Sequence, residues 1–483
     1  MLFNSLPFLL FFVIVTVSYF LLPHRARWLL LLVASCVFYM FFKPEYILIL
    51  AFTIIIDYYA GILLENEINP YKRKRYLVMS LVANIGILAV FKYYNFINDN
   101  ITGLAGLLHT KNHIPALRML LPIGLSFHTF QAMSYTMEVY RGNQKAERHF
   151  GIYSLYVMFY PQLVAGPIER PQNLLHQFRE RHNFNSQNLI DGLRLMLWGF
   201  FKKVVIADRV AQYANTIFNN PGHYHFLNLL MGVFFFAIQI YADFSGYSDI
   251  AIGAAKTMGF DLMLNFNRPF ESKSVTEYWR RWHISLTTWF NDYLFTPIAL
   301  DKRLWGKAGV IFAIFITFSI SGLWHGAAWT FVLFGVINGI AVIYELLTKK
   351  FRKKIFSFIP HFLRNSVGLI LTFSFACFTF IFFRSNSFHD IVLLIKHLVG
   401  FYRLDPFQDV LRNVSGEIVF TKSALAISFF MILMLFLMEH KISPRLTEFN
   451  KKPIADILFI SITLSLIVML GVFQKNSFIY FQF

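Results

Sequence analysis

The feature that most constrains this chain is an uncharged stretch from Ala308 to Tyr344, which contains no Asp, Glu, Lys or Arg. A helix needs about 20 apolar residues to cross the hydrocarbon core of a bilayer, so this stretch is long enough for two short passes. Gly322 and Gly326 flank His325 near the midpoint of the stretch. We therefore predict a lipid-embedded helical hairpin that breaks tightly around His325.

The histidine at this break is the first candidate functional residue. An ionisable side chain at membrane depth is costly, and an imidazole takes up and releases a proton near neutral pH. On position alone, a core histidine bonded to a backbone carbonyl is an equal alternative. Ser321, Trp324 and Trp329 favour a substrate slot, because they combine hydrogen-bond donors with flat apolar walls.

The composition extends this prediction to the whole chain. Of its 483 residues, 57% are hydrophobic and only 14% are charged, more apolar surface than a soluble domain can bury. We expect an all-α polytopic membrane protein with about 10 to 12 spans plus re-entrant or interfacial helices. The apolar segments lie at roughly 6–22, 28–42, 45–64, 76–94, 117–135, 151–165, 189–206, 226–242, 247–260, 308–323, 328–345, 366–383, 422–438 and 453–473.

The distribution of basic residues predicts the orientation. The first apolar segment has its positive charge after it rather than before it, so it is expected to be a retained helix with an extracytoplasmic N-terminus. By the positive-inside rule, the loops near 97–116 and 384–421 then face outward from the cytoplasmic (inner) cell membrane. The basic clusters that agree with this orientation lie at 24–27, 72–75, 349–354 and 441–452.

The net charge of +18 is accounted for by this topology and by contact with anionic membrane lipids. Nucleic-acid binding is a poor alternative, because the charges are dispersed and no recognition module is present. Cys36 and Cys377 lie far apart in apolar segments and imply neither a disulfide nor a metal site.

A second cluster of chemically active residues lies at Glu277–Tyr293. Arg280 and Arg281 suit a phosphate-bearing or thioester-linked donor, since guanidinium groups bind such oxygens in bidentate fashion. An interfacial amphipathic helix with snorkelling arginines is the favoured alternative for these two, and for His283 the two interpretations are balanced. A continuous helix would place four polar residues on one face and two tryptophans on another: Arg281, Ser285, Thr288 and Asp292, then Trp282 and Trp289.

A third cluster lies at Tyr241–Ile250, where Asp243, Asp249 and two serines surround Gly246. The carboxylates are suited to orienting a base or lining a pathway. The polar turn of a short hairpin is slightly favoured as the alternative, because such side chains also satisfy helix ends.

A fourth segment, Phe159–Pro171, contains three prolines, which prevent a continuous helix. A re-entrant element buried against protein fits this pattern best, either lining a tunnel or forming a kink in the scaffold.

Together these segments resemble the membrane-bound O-acyltransferase (MBOAT) superfamily, and within it the bacterial AlgI-like branch that acetylates alginate, peptidoglycan or cellulose. The resemblance covers residues from about 120 to 385. Its further pieces are Leu121–Phe127, Tyr135, Tyr140–Gly142, Asn265-Phe266, Pro269, Trp279–Asp292, Ser321–Thr330 and Phe382–Arg384. His128 and Asn338 depart from the residues common at these positions in relatives.

The resemblance implies a ring of helices around a central tunnel, with His325 as the catalytic histidine and His283 as a second functional position. It also implies a cytoplasmic thioester donor, acetyl-CoA or a carrier-protein thioester, rather than a bound cofactor. The acyl group would pass to an exported partner, an SGNH-hydrolase-like or other extracytoplasmic acceptor protein. We expect one membrane domain over 1–483, with N-terminal helices (1–116), a motif-bearing core (117–385), and an outward loop and C-terminal helices (386–483).

We therefore predict an O-acetyltransferase that carries an acetyl group across the membrane to a hydroxyl of an exported or cell-wall polysaccharide. The alternatives are D-alanyl transfer to teichoic acid, lipid O-acylation, a non-enzymatic transporter and an inactive scaffold. No metal site is expected. The candidate donor- or substrate-binding residues are Arg280, Arg281, Trp324, Ser321, Asp243, Asp249 and Asn338.

Overall fold

The computed structural model describes residues 1–117, 122–400, 420–441, 453–473 and 478–479, and within them every regular element is helical. Half of the predicted outward loop at 384–421, and most of the basic cluster at 441–452, lies outside the described residues. The described chain forms two compact units. The first comprises Met1–Leu193 with Ile250–Met263, and the second comprises Arg194–Asp249 with Leu264–Phe483.

The first ten helices run through the N-terminal half of the chain. They are α1 (Leu6–Leu21), α2 (His24–Met40), α3 (Ile47–Asn66), α4 (Pro70–Leu88), α5 (Tyr94–Leu107), α6 (Leu125–Arg141), α7 (Phe150–Met158), α8 (Pro171–Leu174), α9 (Ser186–Phe200) and α10 (Asp208–Asn219), with π-helical turns at Ala89–Tyr93 and Phe201–Ala207.

The second ten helices complete the described chain. They are α11 (Phe226–Thr257), α12 (Val275–Arg281), α13 (Ile284–Phe290), α14 (Thr296–Asp301), α15 (Lys307–His325), α16 (Trp329–Phe356), α17 (His361–Arg384), α18 (Phe388–Val399), α19 (Lys422–Lys441) and α20 (Pro453–Leu470).

Seven helical stretches of the described chain are long and apolar enough to cross a membrane, fewer than the 10 to 12 spans expected from the sequence. Two shorter apolar helices, Leu6–Leu21 and Asp456–Leu470, add to them. Several predicted segments form shorter helices that are buried in protein, as in α6 and α7. An apolar segment covered by protein looks the same in sequence as one covered by lipid, so hydropathy does not separate the two.

The predicted hairpin is confirmed as the helix pair α15 and α16, which breaks at residues 326–328. Gly322 does not form the break. It lies within α15, where a Cβ atom would come within 2.3 Å of the Phe331 carbonyl oxygen and 3.0 Å of Gly335. Gly335 faces the same constraint from the opposite helix. Two glycines thus allow the helix backbones to touch close to His325.

The polar stretch Tyr241–Ile250 is not a turn, and the hairpin predicted there is wrong. The apolar segments 226–242 and 247–260 are one continuous helix, α11. Gly246 lies within this helix at a close helix contact, since a Cβ there would lie 2.7 Å from the Gly199 carbonyl oxygen. A helix satisfies its own backbone groups, so buried polar side chains do not break it when they find partners elsewhere.

The continuous helix predicted across Glu277–Tyr293 is also wrong, because α12 ends at Arg281 and α13 begins at Ile284. His283 lies between them in a left-handed conformation, with φ 43° and ψ 55°. The face shared by Arg281, Ser285, Thr288 and Asp292 therefore does not form. Such a conformation is uncommon for a residue other than glycine and persists where surrounding contacts enforce it.

The proline-rich segment is confirmed as a broken element buried against protein. Between α7 and α8 the chain turns through residues 159–170, of which all but Arg170 are buried. Glu169 accepts hydrogen bonds from the Met263 backbone and the Asn173 side chain, both at 2.6 Å. These contacts lie within the first unit and hold the break in place.

Candidate active site

His325 is the last residue of α15 and is only 4% exposed. Three aromatic rings surround its imidazole, with centroid distances of 5.1 Å to Trp324, 5.9 Å to Phe334 and 5.4 Å to Phe383. The next residue must be small, because a Cβ at Gly326 would lie 2.2 Å from the Phe331 ring. The break after α15 thus presents the imidazole within an aromatic pocket.

His283 lies in the same pocket and is fully buried. Its ring centroid is 4.6 Å from that of Phe244 and 6.1 Å from that of Trp324. Burial, and then the charge that a protonated His325 would carry, lower the pKa of His283 well below its usual range. The two candidate histidines are therefore close enough to interact, and His283 is neutral near pH 7.

The unusual backbone of His283 is fixed by the segment around Asn265. The backbone N–H of Ile284 donates to the Asn265 carbonyl at 2.8 Å. The Asn265 side chain accepts from the Ser285 hydroxyl at 2.6 Å and donates to the Ser248 hydroxyl at 3.1 Å. One asparagine thus links α11, α13 and its own segment, and holds the chain directly after His283, while the Asn267 N–H donates to the Arg281 carbonyl at 2.9 Å before it.

Asp243 and Asp249 were predicted beside a base or pathway, but the structure places both in ion pairs. Asp243 lies 2.8 Å from the Lys203 ammonium group and Asp249 lies 2.5 Å from that of Lys202. Two further carboxylates complete this ion cluster, with Asp208 3.0 Å from Lys203 and Glu439 3.7 Å from Lys202. The sequence carried a signal for it that was missed, since two adjacent lysines inside an apolar segment require buried partners.

The backbone N–H of Ile479 also donates to Asp243, at 2.9 Å. Next to it, the Phe478 ring lies 5.5 Å from Phe244 and 4.6 Å from Tyr247. Phe244 is the residue that contacts His283. The C-terminal residues therefore connect the ion cluster to the wall of the histidine pocket.

A cleft of about 560 Å³ lies along α15 and α16 and reaches Ser321, but neither histidine lines it. Ser321 and Thr317 line it, one and two helical turns before His325. Neither hydroxyl makes a hydrogen bond within the described residues. This row of hydroxyls at four-residue spacing is visible in the sequence, but only Ser321 was predicted.

The rim of the cleft is basic. Arg280 is exposed there, and neither it nor Lys349 forms an ion pair with any described residue. Arg352 also lines the rim, but it lies 3.7 Å from Glu345, which accepts hydrogen bonds from the N-terminus of α12. Two cations of the rim are thus available to a ligand's phosphate oxygens.

The remaining predicted residues stand beside this cleft rather than in it. Arg281 is neutralised by Glu277 at 2.7 Å and does not line the cleft. Asn338 accepts a hydrogen bond at 3.2 Å from the indole nitrogen of Trp279, and Trp279 forms part of the cleft wall. Asn338 therefore positions Trp279 in the cleft wall and does not itself line the cleft.

Chemically, the site combines two imidazoles among aromatic rings with a cleft that is polar along one helix and basic at its rim. An imidazole that is removed from bulk water is suited to taking a proton from a hydroxyl group. A neutral second imidazole can donate one N–H to a developing negative charge. The arrangement suits transfer of an acyl group to a hydroxyl.

Comparison with known proteins points in the same direction. The family model for membrane-bound O-acyltransferases matches residues 149–389. A peptidoglycan O-acetyltransferase of Helicobacter pylori is 32% identical over 441 residues, which cover 83% of this chain and 80% of the relative.

The names of two further relatives specify other polymers, and one of the two names a different transferred group, D-alanine. A probable alginate O-acetylase, AlgI, of Pseudomonas aeruginosa is 37% identical over 357 residues, covering 71% of this chain and 66% of the relative. A teichoic acid D-alanyltransferase of Bacillus subtilis is 28% identical over 295 residues, covering 59% of this chain and 73% of the relative.

Proposed function

This chain belongs to the membrane-bound O-acyltransferase family and is a multi-pass membrane O-acyltransferase, and from this we propose a specific donor and acceptor. It moves an acetyl group from a thioester, acetyl-CoA, to a hydroxyl group presented from the opposite side of the membrane. The acetyl ester ends on an exported or cell-wall polysaccharide, directly or through an exported acceptor protein of the SGNH-hydrolase type.

The observation that carries this proposal is the line of side chains Thr317, Ser321 and His325 along one face of α15. The hydroxyls line the cleft, and the histidine ends the helix. A phosphopantetheine arm is long and narrow, with amide groups that hydrogen-bond to hydroxyls. Its phosphates would lie at Arg280 and Lys349 while its thioester points toward His325.

The charges at the ends of the helices support this direction of transfer. α15 begins at Lys307, and the basic residues 349–354 lie at the far end of α16. By the positive-inside rule these ends are cytoplasmic, so the cleft rim meets the cytoplasmic donor. His325 lies at the opposite end of α15, so the acceptor approaches it from the extracytoplasmic side of the membrane.

His325 acts as the general base. It takes the proton of the acceptor hydroxyl as that oxygen bonds to the thioester carbonyl carbon, which forms a tetrahedral intermediate. The C–S bond then breaks, the leaving thiolate takes the proton back from the imidazolium, and the products are the ester and the free thiol. His283, as a neutral N–H donor, stabilises the negative oxygen of the intermediate.

The test uses the purified full chain in liposomes with labelled acetyl-CoA, a D-alanyl carrier-protein thioester or a long-chain acyl-CoA. We expect hydroxyl-dependent release of free CoA from acetyl-CoA, with the label found as an ester on the acceptor by mass spectrometry. Preference for the D-alanyl donor would assign the chain to the branch of the Bacillus subtilis relative. Cleavage of none of the three would refute the proposal.

A further inference from the structure

One aromatic ring lies between the cleft and the histidine pocket. Phe334, on α16, is only 4% exposed. Its ring centroid lies 6.1 Å from that of Trp279, which lines the cleft, and 5.9 Å from that of His325. Ser321 is the last residue of α15 that lines the cleft, one helical turn or about 6 Å before His325. An acyl group that moves from the cleft to His325 therefore passes the Phe334 ring.

Further rings pack around Phe334. Its centroid lies 5.2 Å from that of Phe383 and 6.4 Å from that of Phe380, and both of these side chains are 2% exposed. Phe383 in turn lies 5.0 Å from Phe331 and 5.4 Å from His325. Aromatic rings at such distances are in direct contact. The space beside the imidazole is therefore limited by side chains that already touch.

The helix backbones are also in contact at this level. Gly335 follows Phe334, and a Cβ there would come within 2.2 Å of the Phe318 carbonyl oxygen. The Asn338 side chain donates to the Phe334 carbonyl at 2.8 Å and accepts from the Trp279 indole at 3.2 Å. These contacts hold α15, α16 and the cleft wall together. The Phe334 ring, rather than a movement of the helices, therefore sets the width of the passage.

A tightly packed site discriminates between ligands by their volume. Protein interiors respond to a change of a single methylene group, because they contain few voids. In an enzyme pocket, one methylene more or less changes kcat/KM by about 10- to 200-fold. An acetyl group carries one methyl carbon beyond its carbonyl, whereas a longer acyl group carries its further carbons into space that the rings occupy.

We propose that Phe334, supported by Phe383, excludes acyl groups larger than acetyl from His325 and so selects the donor. This rests on the proposed function and identifies the residue that determines its acyl specificity. Phe334 takes no part in proton transfer, since its ring contacts only the carbon chain that follows the carbonyl. Removing the ring should therefore change which thioester is used more than it changes the rate with acetyl-CoA.

The test measures binding and turnover with donors that differ only in chain length. S-ethyl-CoA and S-butyl-CoA, two thioethers that acyl transfer cannot cleave, are titrated onto the full chain in liposomes. Turnover is the release of free CoA from acetyl-CoA and butyryl-CoA, with hydroxylamine as a small nucleophile that forms the hydroxamate as the C–S bond breaks. We expect the wild type to favour the two-carbon ligand by about tenfold or more in both measurements.

Substitutions at Phe334 test the role of its ring. Phe334→Ala should abolish the preference, because the vacated volume accepts the longer chain. Phe334→Leu should give an intermediate ratio, and this variant decides the question if Phe334→Ala does not fold.

A matched control separates this role from a purely structural one. Phe236 is fully buried and packs on Phe380 at 6.0 Å, but it lies on α11 and does not line the cleft. Phe236→Ala and Phe334→Ala should both lower the unfolding temperature. Only Phe334→Ala should change the ratio between the two chain lengths.

Two results would overturn the inference. One is equal use of the two-carbon and four-carbon ligands by the wild type, and the other is a change of ratio in Phe236→Ala as large as in Phe334→Ala. A preference in binding, together with no cleavage in the test of the proposed function, would support the size limit and refute the transfer. Cleavage of acetyl-CoA and butyryl-CoA at equal rates would refute the size limit and leave the transfer standing.

Discussion

The second unit buries two sets of ionisable side chains, and they differ in how charge is balanced. In the ion cluster, Lys202 and Lys203 face four carboxylates at 2.5 to 3.7 Å. In the histidine pocket, His283 and His325 face aromatic rings. The first set neutralises itself and so suits a structural role, whereas the second consists of imidazoles, a group whose protonation changes near neutral pH.

The largest difference expected between the two regions concerns the reaction. His325→Ala should lower acyl transfer by about 10² to 10⁴-fold, the usual contribution of a positioned base, while the protein inserts and folds normally. The measurement is the rate of ester formation on the acceptor with purified protein. His361→Ala, at an exposed position, is the control and should keep the full rate. Equal rates for the two variants would remove His325 from the mechanism.

A change in the ion cluster should affect stability instead. Asp243→Asn leaves the buried Lys203 with one carboxylate, and breaking such a pair costs about 3 kcal/mol or more. We expect a lower unfolding temperature in detergent and activity that falls only as folded protein is lost. Adding Lys203→Met should restore part of the stability. If Asp243→Asn were inactive yet fully stable, Asp243 would belong to the reaction after all.

The pH dependence of stability sharpens the comparison further. The pKa of His283 is held low in the folded protein, while an unfolded histidine titrates near 6.5. Below about pH 6.5 the unfolded chain therefore binds a proton at this histidine that the folded chain does not bind. The free energy of unfolding falls by up to about 1.4 kcal/mol for each unit by which the pH is lowered. Asparagine tolerates the left-handed backbone at this position. His283→Asn should therefore make the unfolding temperature depend less on pH between pH 6.5 and 5. Parallel curves for the two proteins would contradict this.

The smallest expected effect lies at the rim of the cleft. Arg280→Gln and Lys349→Gln should each raise the KM for acetyl-CoA by about three- to tenfold and leave kcat unchanged, because a screened surface charge contributes about 1 kcal/mol. Arg281→Gln is the matched control, since this neighbour is paired with Glu277 and lies outside the cleft. A larger change in KM for Arg281 than for Arg280 would assign the donor phosphates elsewhere.

The same two regions show what the sequence could and could not predict. The helical hairpin and His325 followed from local facts, namely an uncharged stretch, its basic flanks and glycines near its centre. The ion cluster depends on residues up to 237 positions apart, as between Lys202 and Glu439. Asp243 and Asp249 therefore looked like substrate ligands, because their lysine partners were identified only as part of an apolar segment.

The errors at α11 and at α12–α13 have opposite physical causes. Polar residues at Tyr241–Ile250 suggested a turn, but partners on other helices let the helix continue. The segment Glu277–Tyr293 suggested a helix, but backbone contacts of Asn265 and Asn267 with Ile284 and Arg281 interrupt it at His283. In both places tertiary contacts outweigh local preference.

The contact of Phe478 with Phe244 and Tyr247 has a practical consequence for anyone who expresses this enzyme. Phe478 packs on Phe244, and Phe244 packs on His283, so a change at Phe478 reaches the histidine through a single ring. A loss of activity after removal of Phe478 should therefore first be examined as a disturbance of Phe244, the ring that lies 4.6 Å from His283.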